Sequence, residues 1–225
     1  MKKLLIFDVF GTLLSTGTGS VDACRAILAK QDRAIDPAAF YARWKDYNRA
    51  RKAACPTLGF MNEKDIFTES LGFLYRDYGI DRPYREDVQI MLSSFTGRAA
   101  YPDAKTALSA LRGKYRTVIG SVTDTAPMTE NLSANGLSFD AYYTSESLRC
   151  YKPDPAFYRA ILRAEDVSPD DAVFIGDSIE EDALAPMREG ITGVLLDRKG
   201  TYQAQGASEK PDFVIRSLTD LCNIL

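Results

Sequence analysis

Leu4-Leu5-Ile6-Phe7-Asp8-Val9-Phe10-Gly11-Thr12-Leu13-Leu14 is the stretch from which the rest of the chain is read. An apolar run that stops at one carboxylate has the form of a strand buried on both faces. Open α/β sheets bind ligands outside the carboxyl ends of their strands, which is where Asp8 falls. Gly11 allows a sharp turn that brings backbone N–H groups up to a bound anion. An aspartate so placed suits a nucleophile; taken alone, it reads equally well as a turn cap.

Outward from this strand the pattern changes twice. After the polar link Ser15–Ser20, Val21, Cys24, Ile27 and Leu28 follow helical spacing. Pro37 opens a second helix carrying Phe40, Trp44 and Tyr47 and stopping near Pro56; a third runs from Glu63 to Gly79 and a fourth from Arg85 to Ser94. From Tyr101 onward, helices and apolar runs alternate. Helices are expected over Asp103–Arg112, Ala126–Asn135, Pro155–Ala164 and Glu181–Gly190, with a closing helix from Ser217. Strands are expected over Thr117–Gly120, Ala141–Thr144, Ala172–Ile175, Thr192–Leu196 and Asp212–Ile215, and Gly200–Lys210 reads as a polar loop. Such alternation predicts an α/β fold with a doubly wound, Rossmann-like parallel sheet. Residues 1–14 and 98–225 would form that core, and residues 15–97 an inserted α-helical domain.

Composition agrees. At 225 residues and 45% hydrophobic, the chain can bury a large core. Its formal net charge of −3 is interspersed along the sequence, with no basic stripe for nucleic acid or anionic membrane. Cys24, Cys55, Cys150 and Cys222 form no CxxC pair and read as reduced thiols of a cytoplasmic protein. Met1-Lys2-Lys3 before an apolar run mimics a signal peptide, but Asp8 interrupts that run and no small-residue cleavage site follows. The expected partner is a small-molecule substrate.

Three further segments end apolar runs or occupy turns with chemistry-bearing residues. Ser121 closes the strand Thr117–Gly120. Lys152 sits in Tyr151-Lys152-Pro153-Asp154-Pro155. Gly176-Asp177-Ser178-Ile179-Glu180-Glu181-Asp182 follows the strand Ala172–Ile175. Prolines on one side of Lys152 restrict its loop. Asp8, Asp177 and Asp182 would crowd three carboxylates around one pocket with Lys152 as the obvious counter-charge, and like charges so close call for a cation. Magnesium is the expected one.

In this order, with Asp8-Val9-Phe10-Gly11-Thr12-Leu13 first, the four segments resemble the motifs of the haloacid dehalogenase superfamily of aspartate-nucleophile hydrolases, over nearly the whole chain. The resemblance implies that Asp8 is the nucleophile and that the helical insertion is a cap closing over the active site. It implies catalytic parts for Thr12, Ser121, Lys152 and Asp182, and substrate oxygens held near Phe10 and Gly11. Magnesium would be held by Asp8, the Phe10 backbone carbonyl and Asp177, with Asp182 behind them. Phe40, Arg43, Trp44, Tyr47 and Phe60 are the cap candidates for meeting the substrate, although aromatic residues at this helical spacing are more often core and an arginine there can simply be solvated.

Phe10 departs from the family's phosphatases, which place a second aspartate there as general acid and base. Phenylalanine moves no proton, and the chain has no histidine to stand in. An apolar residue there resembles the superfamily's L-2-haloacid dehalogenases, in which Asp8 would displace halide from carbon without a metal. Arg149–Pro155, Tyr158 and Arg43 match that group too, the last two as substrate- and halide-binding residues; Val122, Asp177 and Ile179 do not. The ranking expectation is a magnesium-dependent phosphohydrolase acting on a phosphate ester or acyl phosphate. The alternatives are a metal-independent haloacid dehalogenase and a catalytically weak small-molecule binder that keeps the fold.

Overall fold

The computed structural model describes residues 3–30, 34–203 and 208–225. Met1 and Lys2 of the signal-like segment, and residues 204–207 of the expected polar loop, lie outside the described residues. The chain divides into two compact units, Met1–Ser15 with Ala99–Leu225, and Thr16–Arg98.

The first unit holds the strands β1 (Leu4–Phe7), β2 (Arg116–Ser121), β3 (Ala141–Thr144), β4 (Ala172–Gly176), β5 (Thr192–Leu196) and β6 (Phe213–Ile215). They form one sheet in the order β3-β2-β1-β4-β5-β6. Every neighbouring pair is parallel. The chain winds from β1 outward through β2 to β3, then returns to the other side of β1 with β4. That reversal makes the carboxyl end of β1 the switch point where such sheets bind ligands. The expected sheet is the one observed.

The second unit contains α1 (Gly19–Leu28), α2 (Pro37–Ala53), α3 (Cys55–Leu58), α4 (Glu63–Tyr78) and α5 (Tyr84–Ser93). Asp36 starts α2 by accepting from the backbone N–H groups of Ala38 and Ala39, with Pro37 in the first turn. Gly79, at φ +62°, ends α4 in the left-handed conformation. Phe40, Trp44, Leu71, Leu74 and Met91 close the centre of this unit with no exposed surface. Its chain ends leave the first unit side by side. Leu14 and Ala100 form an antiparallel bridge, and Ser15 N donates to Ala99 O at 2.9 Å.

Helices α6 (Pro102–Leu111), α7 (Thr125–Ala134), α8 (Ser145–Leu148), α9 (Pro155–Glu165) and α10 (Ala185–Arg188) belong to the sheet unit. Successive strand residues point to opposite faces. Leu5 and Phe7 pack with Ala104, Ala107 and Leu111 of α6 and Met128 and Leu132 of α7. Leu4 and Ile6 pack with Phe157, Tyr158 and Ile161 of α9. Each fully buried large side chain contributes about 1.5–3 kcal/mol, so β1 is anchored from both sides.

Two expected helices differ in form. Instead of Glu181–Gly190, a π-turn spans Ile179–Leu184 and α10 follows. Gly193 of β5 lets this segment lie against the strand, since a Cβ there would overlap the Ala183 carbonyl. Wide π-turns of this kind cluster at functional sites, and this one holds Asp182. The closing helix is a 3-10 helix over Leu218–Asn223, capped by Ser217 and Asp220.

Candidate active site

Strand register assembles the site. Phe7 is level with Ile119 of β2 and Ile175 of β4, so Asp8 leaves the sheet between Gly120-Ser121 and Gly176-Asp177. The Asp8 N–H donates to Ile175 O at 2.9 Å. Its carboxylate accepts from Ser121 Oγ and from Lys152 Nζ, both at 3.0 Å and both at Oδ1. Lys152, nearly fully buried, also donates to Gly120 O at 3.1 Å and to Asp182 Oδ1 at 2.6 Å. The second Asp182 oxygen accepts from Ser178 N at 2.9 Å. Thr12 Oγ1 reaches Asp177 Oδ1 at 3.4 Å, and the Thr12 carbonyl accepts from Arg198 Nη2 at 2.8 Å.

Two glycines make room for the carboxylates. Gly11 has φ +98°, and a Cβ on it would overlap the Asp177 carboxylate. A Cβ on Gly176 would overlap the carboxylate of Asp182. At these positions the absence of a side chain is a condition of the site.

The electrostatics have one source, an excess of negative charge. One carboxylate oxygen each from Asp8, Asp177 and Asp182 lie within 4.8 Å of one another, and Lys152 is the cation bonded among them. Burial pushes the pKa of Asp182 up to about 8, with the Asp8 charge adding to it against the pull of Lys152. Asp177 faces solvent on one side, yet the protein around it removes much of its hydration, and with the Asp8 charge this raises it to about 6. For Lys152, burial works against the charged form, but the charges of Asp182 and Asp8 reverse that and raise its pKa. Groups of both signs shift toward the protonated side, as they must where three carboxylates share one ammonium. The donor set fits a hard divalent cation: carboxylate oxygens close together, one open to solvent, and an uncompensated negative charge.

Asp8, Thr12, Ser121, Lys152, Asp177 and Asp182 are thus brought together, with Gly11 against Asp177. Phe10 lies half-buried, its side chain packed on the core beside the loop. Tyr158, expected among the substrate-binding residues, lies in the core of the sheet unit. It is fully buried between Phe157 and Phe174, and its hydroxyl donates to Glu181 O at 2.6 Å. Phe40 and Trp44 are likewise core, Trp44 Nε1 donating to Ser70 Oγ at 2.9 Å. Arg43 is exposed in the helical unit, over the Tyr47 ring at 4.8 Å and 3.4 Å from Asp77 Oδ2. The Gly120 carbonyl and Arg198 join the site without any signal in the sequence. The first is backbone, and the second is a lone arginine after a strand, with no spacing to mark it.

Residues 2–186 match the family model of the haloacid dehalogenase-like hydrolases. Among curated proteins, the chain is 29% identical over 132 residues to the glyceraldehyde 3-phosphate phosphatase of Methanopyrus kandleri, covering 56% of each chain. It is 25% identical over 186 residues to (S)-2-haloacid dehalogenase 1 of a Pseudomonas species, covering 78% of this chain and 76% of that one. With the first curated relatives, the chain spans only a third to just over half of their length. The structure of an L-2-haloacid dehalogenase from Xanthobacter autotrophicus superimposes with a TM-score of 0.78 at 21% identity, over 100% of this chain and 98% of that one. No helix among the described residues is long and apolar enough to cross a membrane.

Proposed function

The chain belongs to the haloacid dehalogenase-like hydrolases, and within them we propose that it is a magnesium-dependent phosphohydrolase acting on a small phosphorylated metabolite through a covalent aspartyl intermediate. The observation that carries this reading is the cluster of Asp8, Asp177 and Asp182 around one ammonium. Asp8, the Phe10 carbonyl and Asp177 would hold the ion, with Asp182 behind them. When bound, magnesium neutralises charge on the phosphoryl oxygens.

Asp8 is the nucleophile. Both of its side-chain hydrogen bonds fall on Oδ1, which leaves Oδ2 to attack phosphorus. The bond from phosphorus to the leaving oxygen breaks, and its electron pair departs with that oxygen. Water then attacks phosphorus, the bond to Asp8 breaks with its electron pair returning to the carboxylate, and inorganic phosphate leaves carrying water's protons. Lys152 and Ser121 orient the carboxylate and offset negative charge as it develops. Phe10 cannot protonate the leaving oxygen, so acyl phosphates, whose leaving groups are weakly basic, are preferred over alkyl esters. The curated phosphatase relative supports phosphoryl chemistry on this scaffold.

Phe10 itself favours a second reading, 2-haloacid dehalogenation. There Asp8 attacks carbon and halide leaves with the bonding pair, so halide departure needs no proton; water then hydrolyses the aspartyl ester, releasing the 2-hydroxy acid and the Asp8 carboxylate with one proton to solvent. The curated dehalogenase relatives support it. Against it stands Asp177, whose charge would repel the carboxylate of a haloacid.

Hydrolysis of acetyl phosphate and p-nitrophenyl phosphate with magnesium or EDTA, beside chloride release from L-2-chloropropionate, tests the two. Magnesium-dependent phosphate release that Asp8→Asn abolishes supports the first reading. Chloride release in EDTA overturns it.

A further inference from the structure

The loop that follows Asp8 is tied mainly by backbone hydrogen bonds, within itself and to Tyr101. Leu13 and Leu14 N–H groups both donate to Val9 O at 2.9 Å, Gly11 N donates to Leu14 O at 2.8 Å, and Tyr101 N donates to Leu13 O at 2.9 Å. The carbonyl of Thr12, a fully buried residue, is held differently, by an arginine 186 positions away in sequence.

Arg198 is built for that contact. It follows Asp197, whose N–H donates to Ile215 O at 2.8 Å and whose carboxylate accepts from Thr201 N at 3.0 Å and Tyr202 N at 3.1 Å. The residue therefore springs from an anchored turn. Its guanidinium grips Asp103 with two parallel bonds of 2.9 and 3.0 Å and lies 3.8 Å from the Tyr101 ring centroid. Asp103 is fixed in turn by Ser217 Oγ at 2.9 Å and Leu218 N at 2.8 Å. Asp103 thus answers the charge of Arg198, and Nη2 makes a further bond to Thr12 O at 2.8 Å, while Nε is buried without a hydrogen-bond partner among the described residues.

We infer that Arg198 is a positioning residue for the nucleophile loop, clamping the Thr12 peptide so that Thr12 and Gly11 stay against Asp177. The inference rests on the proposed hydrolytic role of Asp8. Thr12 faces the site with its hydroxyl and Arg198 with its carbonyl, so the orientation of one peptide sets both contacts. Lysine cannot substitute. One ammonium lacks the planar fork that grips Asp103, reaches Thr12 O and stacks on Tyr101 together.

The test compares full-length wild type, Arg198→Lys and Asp103→Asn by hydrogen exchange of the amides at residues 11–14 and by steady-state kinetics. Asp103→Asn loosens the anchor while Arg198 stays, and it decides the matter should Arg198→Lys not fold. We expect loop exchange to rise about tenfold, as for loss of one hydrogen bond worth about 1.4 kcal/mol, with β4, β5 and the helical unit protected as in wild type. On whichever of acetyl phosphate or L-2-chloropropionate the wild type hydrolyses, kcat should fall about ten- to a hundredfold with KM within about twofold. Unchanged loop exchange, or acceleration spread equally over the whole chain, overturns the inference; so does a loosened loop with unaltered kcat. If the wild type hydrolyses neither compound, the functional reading fails while the exchange pattern still decides what Arg198 holds.

Discussion

Lys152 Nζ lies 2.6 Å from Asp182 Oδ1 and 3.0 Å from Asp8 Oδ1, so the tighter hold on the ammonium belongs to the carboxylate that takes no covalent part in the proposed reaction. Asp182 therefore aims Lys152, and Lys152 aims Asp8. Above about pH 8, where Asp182 is ionised, Asp182→Asn keeps the shape but removes the charge that fixes the ammonium. Its kcat should fall about ten- to a hundredfold, as for loss of a supporting shell around a reactive group, with the fold retained by circular dichroism. Wild-type kcat in this variant would show that Asp8 and the Gly120 carbonyl hold Lys152 without Asp182.

Lys152→Met removes the counter-charge and leaves Asp182 buried without it. Breaking a buried pair from one side costs about 3–5 kcal/mol, so thermal unfolding should come at markedly lower temperature. Activity should be lost at all pH values. A variant as stable as wild type would mean that the carboxylates pick up protons at little cost.

Gly11→Ala places a methyl group in the Asp177 carboxylate and a side chain at φ +98°. The backbone strain alone costs about 1–3 kcal/mol. Asp177 must move, so magnesium-dependent activity should drop much more than stability does. The comparison to make is the ratio of activity to unfolding temperature in Gly11→Ala and in Gly136→Ala, also at positive φ but with open space around its Cβ.

Magnesium should raise the unfolding temperature as well as support turnover. A ligand that binds only the folded state stabilises it by about 2.7 kcal/mol at a hundredfold excess over Kd. Differential scanning calorimetry with magnesium chloride against matched sodium chloride measures this. Asp177→Asn should abolish the shift; its persistence would place the ion elsewhere.

The helical unit should lose stability in acid on its own account. Asp87, fully buried, accepts from Lys30 Nζ and Tyr75 Oη at 2.7 Å, and Arg82 Nη2 lies 3.2 Å away. Burial would raise its pKa, but the bonds from Lys30 and Tyr75 and the charge of Arg82 outweigh it and hold the carboxyl below its ordinary value. A folded pKa below the unfolded one gives stability that is full above about pH 4 and is lost as pH falls through the folded value. Trp44, the single tryptophan, is buried in this unit and reports on it by fluorescence. Its unfolding temperature should fall below about pH 4, and Asp87→Asn should flatten that dependence; an unaltered acid profile would assign the sensitivity to another group.

Much of the sheet was legible because β1 and β4 are buried on both faces and so read as unbroken apolar runs ending in an aspartate. Asp8, Ser121 and Asp177 stand at strand ends, where parallel register alone makes them neighbours. The path from Ile179 to Arg188 was not legible as a π-turn, since the space that permits it belongs to Gly193 on another strand. Tyr158, Phe40 and Trp44 carry chemistry that a pattern cannot separate from bulk, and packing made them core. Arg198 matters through a backbone carbonyl, and a carbonyl leaves no trace in residue identity.

The helical insertion begins and ends at one spot on the core, where Ser15 and Ala99 share a hydrogen bond and Leu14 bridges Ala100. To the sheet, whatever lies between those residues is a closed loop whose ends are already joined. The cost of closing a longer or shorter loop there rises only with the logarithm of its length. Insertions at this junction are therefore exchangeable parts: evolution or an engineer can replace the whole helical unit without disturbing the register that brings Asp8, Ser121 and Asp177 together.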